Sequence, residues 1–185
     1  KGKASEDTEA ADNSKPMTSL TVKAPQTYIR EGDTMKLKIV YEPADATNTK
    51  LKWSCSEKGL VDVSEDGTLT PAEGSGKNTV TVTATSTDGS DLKESFKLRI
   101  YPAIDPTQPM IAITFDDGPN PSTTNAMLEA LEENYARATF FCLGNHAVDY
   151  PDVVKREYEL GMEVGTHTYA HKNIAAESEG VIDEE

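Results

Sequence analysis

The stretch ITFDDGPNP, residues 113–121, sets two carboxylates, Asp116 and Asp117, side by side where an apolar run meets a turn. Like charges repel at that distance. Either ordinary turn chemistry, which favours Asp, Gly and Pro, accounts for the pair, or a cation sits between them. About 50 residues further on, HTYAH supplies His167 and His171 with three residues between them. One aspartate with two neutral imidazoles makes a three-ligand set for a catalytic zinc that keeps an open position. One carboxylate would then bind the cation, and the cation would hold the other in its ionised form. His146, in GNHAV, also follows an apolar run, and there a helix-start or loop role is expected rather than a ligand.

Residues so far apart in sequence meet only if the intervening chain brings them to one place. MIAITF (110–115) is a continuous apolar run, as expected of a strand covered on both faces. Met127, Leu128, Leu131 and Tyr135 then recur at helical spacing. ATFFCLG (138–144) reads as a second buried strand, and MEVGTHT (162–168) as a third. Between these two, YPDVVKREYELG (150–161) carries Pro151 suited to a first helical turn and Gly161 suited to the cap beyond the last. The order β-α-β-α-β implies a parallel sheet with right-handed crossovers, either open or closing into a barrel. In such architectures sites are built at the strand carboxyl ends, which is where both aspartates and both histidines fall.

The first half follows a different period. MKLKIVY (35–41), KLKWSCS (50–56), VDVS (61–64), NTVTVTATS (78–86) and SFKLRIY (95–101) alternate apolar with polar residues. Turn signals at Glu31-Gly32-Asp33, Glu65-Asp66-Gly67 and Asp88-Gly89-Ser90 separate them, and the pattern predicts an antiparallel sandwich with Trp53 in its core. The run YEPADATNTKLKWSCSEKGLVDVSEDGTLTPAEGSGKNTVTVTAT resembles a bacterial Ig-like domain of group 2, a resemblance covering residues 19–101. It implies a surface spacer or adhesive module and names no ligand. Residues 102–109, with three prolines, read as a short stiff linker. Residues 1–18 hold almost nothing that could be buried and read as a disordered tail.

Charge is unevenly placed. The 185 residues carry a net charge of −14, with 14 Lys+Arg against 16 Asp+Glu in residues 1–102 and 4 against 16 in residues 103–185. A second half at −12 excludes the clustered basic surface that nucleic acid requires. The two cysteines, Cys55 and Cys142, fall in different halves, so each is expected as a small buried residue rather than half of a disulfide. No long apolar run or signal segment is present in the sequence. The expected location is extracellular or at a bacterial cell surface, tethered by a segment upstream of residue 1.

The segment from Met110 onward is similar to the first part of a polysaccharide deacetylase domain, carbohydrate esterase family four. Thr114–Pro119 matches the family motif T-F-D-D-G-P, and His167–His171 matches H-[ST]-x-x-H. Carried over, the resemblance implies Asp116 as catalytic base and Asp117, His167 and His171 as ligands of zinc or another divalent transition metal. It implies that Thr168 braces the histidine loop by hydrogen bonding. Met162 stands where the family commonly has His, and Thr166 where it commonly has Asn; neither position is a ligand. The implied reaction is hydrolysis of N-acetyl groups on peptidoglycan or a chitin-type polymer, with acetylated xylan as a further substrate of the same family. The alternative is a surface adhesion or carbohydrate-binding protein carrying a non-catalytic deacetylase remnant.

The expected fold is therefore multidomain: an all-β Ig-like sandwich, then the first βαβαβ part of a distorted (β/α) barrel, truncated, over residues 110–185. The family's later motifs, which supply the backbone oxyanion donor, the general acid and the acetyl pocket, are absent from these residues. The resemblance thus implies an amino-terminal piece that is inactive without the carboxy-terminal remainder of the same chain, present as a separate fragment or removed.

Overall fold

A computed structural model of the chain describes residues 14–182. The first half is built from β1 (Ser19–Lys23), β2 (Tyr28–Arg30), β3 (Met35–Lys36), β4 (Lys38–Glu42), β5 (Leu51–Cys55), β6 (Val61–Val63), β7 (Thr68–Pro71), β8 (Asn78–Ser86) and β9 (Lys93–Tyr101). One sheet runs β2-β9-β8-β5, while β3-β7-β6 and the β1-β4 pair form the opposing ladders. All pairings are antiparallel except that of β2 with β9. Along β8 the inward positions Val80, Val82 and Ala84 are buried while the threonines between them face out, as a period of two requires. They meet Leu20, Val22, Ile29, Leu69, Leu98 and Ile100 in one apolar core. Trp53, on β5, packs against this core half-buried rather than at its centre.

Two expectations for this half change. MKLKIVY is not one strand: Met35–Lys36 pairs with β7 and Lys38–Glu42 with β1. The break falls at buried Leu37, whose amide donates to Gly67 O at 2.9 Å, so the chain crosses from one ladder to the other there. The tail expected over residues 1–18 lies outside the described residues as far as Asn13. Beyond it the chain is already held, with Thr47 N donating to Lys15 O (3.0 Å), Met17 N to Asp88 Oδ2 (2.5 Å) and Thr18 N to Glu42 O (2.7 Å). Met17 is only 2% exposed, so the domain begins before Ser19.

The second half comprises β10 (Thr114–Gly118), α1 (Pro121–Glu133), β11 (Thr139–Cys142), α2 (Gly144–Asp149), α3 (Pro151–Glu159), β12 (Glu163–Thr166) and, after a 3₁₀ turn at Ile174–Ala176, α4 (Glu179–Ile182). The strands pair in parallel in the order β10-β11-β12. Asn120 starts α1 by accepting from the amides of Ser122 (3.0 Å) and Thr123 (3.2 Å), and Pro121 occupies the first turn, where a missing N–H is harmless. Leu128 and Leu131 bury against Phe140, Cys142 and Met162 in a second, separate core. Gly161, at φ +81°, lies just beyond α3 in the left-handed region that such a position favours.

Three details depart from the expected pattern. MIAITF is not a strand buried on both faces: the strand begins at Thr114, and Met110 and Ile111 are 64% and 85% exposed. The ladder with β11 starts at Thr114 opposite Thr139, so the residues before Ile113 have no strand beside them among the described residues. Met127 is exposed, and Tyr135 lies beyond the end of α1 with φ +50°. Cys55 is half-buried, whereas Cys142 is buried as expected.

Glu157 is the anomaly of the second core. It sits on α3 one turn from Val153, is 0% exposed, and its Oε1 has no hydrogen-bond partner among the described residues. Its other oxygen accepts from the Cys142 thiol at 3.5 Å. Burial pushes the Glu157 carboxyl above the ordinary carboxylate range, and burial together with Glu157 pushes the Cys142 thiol up to about 12. A carboxyl raised on folding favours the folded state below its ordinary range, and that contribution is lost as pH rises through the raised value. Glu157→Met fills similar volume without the charge. It is expected to raise stability at pH 8 by about 1–3 kcal/mol, the cost of an unsatisfied buried polar group. Near pH 4 it should change little, and thermal melts at the two pH values check this. Among the described residues no helix is long and apolar enough to cross a membrane.

Candidate metal centre

The site is assembled where β10 and β12 end. In the β10–β11 ladder Asp116 lies opposite Phe141 and Gly118 opposite Cys142, so Asp117 is an extra residue bulged out of the register. Its φ of +65° turns it out of the plain alternation that would otherwise send consecutive side chains to opposite faces. Asp116 and Asp117 consequently both line a cavity of about 280 Å³, with Phe115, Met127 and Phe140 among its other walls.

On the other side, β12 ends at Thr166 and the chain turns into the histidine loop. His167 N donates to Cys142 O at 2.8 Å, which fixes the loop's start on β11. Thr168 and His171 have φ of +63° and +57°, unfavourable for residues with side chains. Thr168 Oγ accepts from His171 N at 2.9 Å and so closes the turn that brings the second histidine back beside the first. The two rings lie 5.0 Å apart, centroid to centroid, tilted by 49°. With Asp117, three residues of the site hold left-handed backbone, a strain tolerated only where the surrounding structure enforces it.

That enforcement comes from the start of α2, which straps the two loops together. Leu143 N donates to Gly118 O (2.8 Å), Gly144 N to Thr168 O (3.0 Å) and Asn145 N to Tyr169 O (3.0 Å). His146 Nδ1 lies 3.1 Å from Asp117 O. His146 is thus a helix residue that holds the bulge, in keeping with the role expected of it. A side chain at Gly144 would put its Cβ 2.6 Å from the Tyr169 ring, so only glycine lets the strap lie this close. Sequence reasoning missed the strap, although GNH directly after an apolar strand was a usable signal.

Asp117, His167 and His171 each offer one donor atom, and the three atoms lie within 4.8 Å of one another. Asp117 Oδ1 is 3.5 Å from His167 Nε2 and 3.6 Å from His171 Nε2. A tetrahedral zinc with bonds of about 2.0–2.1 Å sets its ligand atoms about 3.3 Å apart, and the two carboxylate–imidazole distances come within a few tenths of an ångström of that. The oxygen and nitrogen donors are those that zinc and neighbouring transition metals accept. His167 is about one-third exposed and His171 and Asp117 are more open, so a fourth position faces solvent. Asp116 stands next to this cluster without being part of it. Thr168 lies between the two histidines in sequence, with its hydroxyl on the His171 amide.

Residues 103–185 match the family model described as polysaccharide deacetylase, and residues 16–95 that of the bacterial Ig-like domain (group 2). Over 68 residues the chain is 48% identical to the peptidoglycan-N-acetylmuramic acid deacetylase PdaC of Bacillus subtilis, an alignment covering 37% of this chain and 15% of that protein. It is 44% identical over 75 residues to a chitooligosaccharide deacetylase of Rhizobium leguminosarum bv. trifolii, covering 40% of this chain and 35% of that one. The solved structure of PdaC aligns with a TM-score of 0.42 at 41% identity, over 44% of this chain and 41% of its own. The chain thus spans between 15% and 40% of the curated relatives it matches.

Proposed function

We propose that this chain, which joins a bacterial Ig-like domain of group 2 to a polysaccharide deacetylase segment, is the part of a metal-dependent hydrolase that carries its metal ligands and its base. The substrate is an N-acetylated polysaccharide, peptidoglycan or a chitin-type polymer. The observation that carries this reading is the convergence of Asp117, His167 and His171 beside a second carboxylate, Asp116. Asp117, His167 and His171 would hold a zinc ion. Such an ion supplies Lewis acidity, polarising the amide carbonyl and acidifying a water that attacks it.

The attack half of the reaction falls to this chain's own residues; the proton that the amine takes as the C–N bond breaks comes from chain outside these residues. The Asp117 carboxylate would offset part of the ion's charge. Asp116 accepts the proton that the attacking water gives up as its oxygen bonds the carbonyl carbon. Thr168 and the α2 strap hold the histidine rings in the ligating orientation, so little reorganisation is needed when metal enters. The parallel sheet is read as the opening βαβαβ part of a distorted barrel whose groove is completed by chain outside these residues. A position at the bacterial surface agrees with the substrate class, with the Ig-like half standing the hydrolase off its anchor.

The experiment is acetate release by the full-length protein from peptidoglycan, chitooligosaccharide and acetylated xylan, each with zinc present. Release from the first or second, with the matching free amine formed, supports the reading. Release from xylan alone would make the protein an esterase, and release from none would overturn the assignment.

A further inference from the structure

We infer that the Ig-like domain is docked as a fixed support on the amino-terminal end of the deacetylase sheet, so that the two halves form one rigid unit with the metal centre facing away from the docked domain. The contact is a cluster of aromatic rings and guanidinium groups drawn from both halves. Tyr28, on β2, and Tyr101, at the end of β9, belong to the Ig-like half; Tyr135 and Arg137 follow α1. Tyr101 stands edge-on to Tyr28 and to Tyr135, with ring centroids 6.2 and 6.4 Å apart. The Arg137 guanidinium lies 5.1 Å from the Tyr28 ring and 5.9 Å from the Tyr101 ring, while its Nε donates to Gly161 O. Cations over aromatic faces are held by the ring quadrupole, more strongly when water is excluded.

Burial gives the contact its weight. Tyr101 is 1% exposed, and its hydroxyl donates to Leu160 O of the other half at 2.5 Å. Arg99 reaches across to the backbone oxygen and the carboxylate of Glu132, lies 5.2 Å from the Tyr135 ring, and has a side chain only 13% exposed. Thr27 Oγ donates to Glu159 O. Separating the halves would expose the Tyr101 ring to water and exchange the phenol and guanidinium hydrogen bonds for bonds to solvent. Gly161 shows the same fit from the other side, because a Cβ there would stand 2.9 Å from the Tyr28 ring. The exit of β9 is also held, with Arg30 Nη1 donating to Pro102 O at 2.9 Å.

The deacetylase residues in this contact lie at the carboxyl ends of α1 and α3 and in the turns that lead from them into β11 and β12. The metal donors lie at the opposite ends of β10 and β12. A four-residue strand spans about 13 Å, so the support leaves the approach to the site clear. By holding these two turns it also fixes where β11 and β12 begin, and through them the bulge and the histidine loop. This goes beyond the spacer role that the resemblance implies.

The test is amide hydrogen exchange in the full-length protein, read in residues 134–138 and 160–162 of the deacetylase half. Tyr101→Phe keeps the ring in the Ig-like half and removes only the hydroxyl; Arg99→Ala removes the second bridge. Each is expected to speed exchange in those turns by about five- to tenfold, the equivalent of one lost buried hydrogen bond. The double variant should in addition expose residues 102–113 to protease. A purely internal role for these residues would change exchange within the Ig-like half and leave the distant turns as they were. Unchanged exchange at 134–138 and 160–162 in Tyr101→Phe overturns the proposal. So does a wild-type protein whose two halves show separate rotational correlation times by nitrogen relaxation.

Discussion

Asp117→Ala is expected to lower zinc affinity by more than about a hundredfold and to remove turnover with it. Outer-shell partners of a metal cost about 10–100-fold when lost, and a direct ligand costs more. The geometry makes Asp117 the centre of the set. Its Oδ1 faces both imidazoles at 3.5 and 3.6 Å, and it supplies the negative charge of the three-donor group. His171→Ala should fall in the same range, since it leaves only Asp117 and His167. Competition against a chelating dye measures both. Affinity within about threefold of wild type in either variant would remove that residue from the site.

Asp116→Asn is expected to separate binding from chemistry. Asparagine keeps the size of Asp116 and one acceptor oxygen but cannot accept a proton at neutral pH. Loss of a positioned general base costs about 10²–10⁴-fold in turnover. Zinc affinity should stay within a few-fold of wild type, because Asp116 lies beside the donor cluster and not in it. Glycan binding should also persist. Acetate release and zinc titration on the same preparation give both numbers. The alternative reading, an adhesion module with a non-catalytic remnant, predicts that neither wild type nor variant releases acetate.

The residues of this centre were legible in the sequence because their types and order are sufficient to suggest the chemistry. What could not be read was how two adjacent aspartates point into one cavity. That depends on the bulge at Asp117, set by the pairing of β10 with β11, and pairing is a tertiary property. The strap from Leu143 to His146 was hidden for the same reason: its hydrogen bonds join segments that meet only in the folded sheet. Period-two alternation placed β5, β8 and most of β9 correctly. It could not show that one alternating run, 35–41, changes ladders at Leu37. Continuous apolar character over 110–115 predicted a buried strand, yet hydrophobicity alone says nothing of where a ladder partner starts, and Met110 and Ile111 lie before it. Tyr135 matched the helical period and still falls outside the helix, packed between α1 and the Ig-like half.

The measurement closest to the centre of this account is X-ray absorption at the zinc edge of the zinc-loaded full-length protein. The account predicts two imidazole nitrogens and one carboxylate oxygen at about 2.0–2.2 Å, with the remaining position taken by solvent. The imidazole signal should halve in His171→Ala. A spectrum showing oxygen ligands alone, or one in which His171→Ala changes nothing, would contradict it.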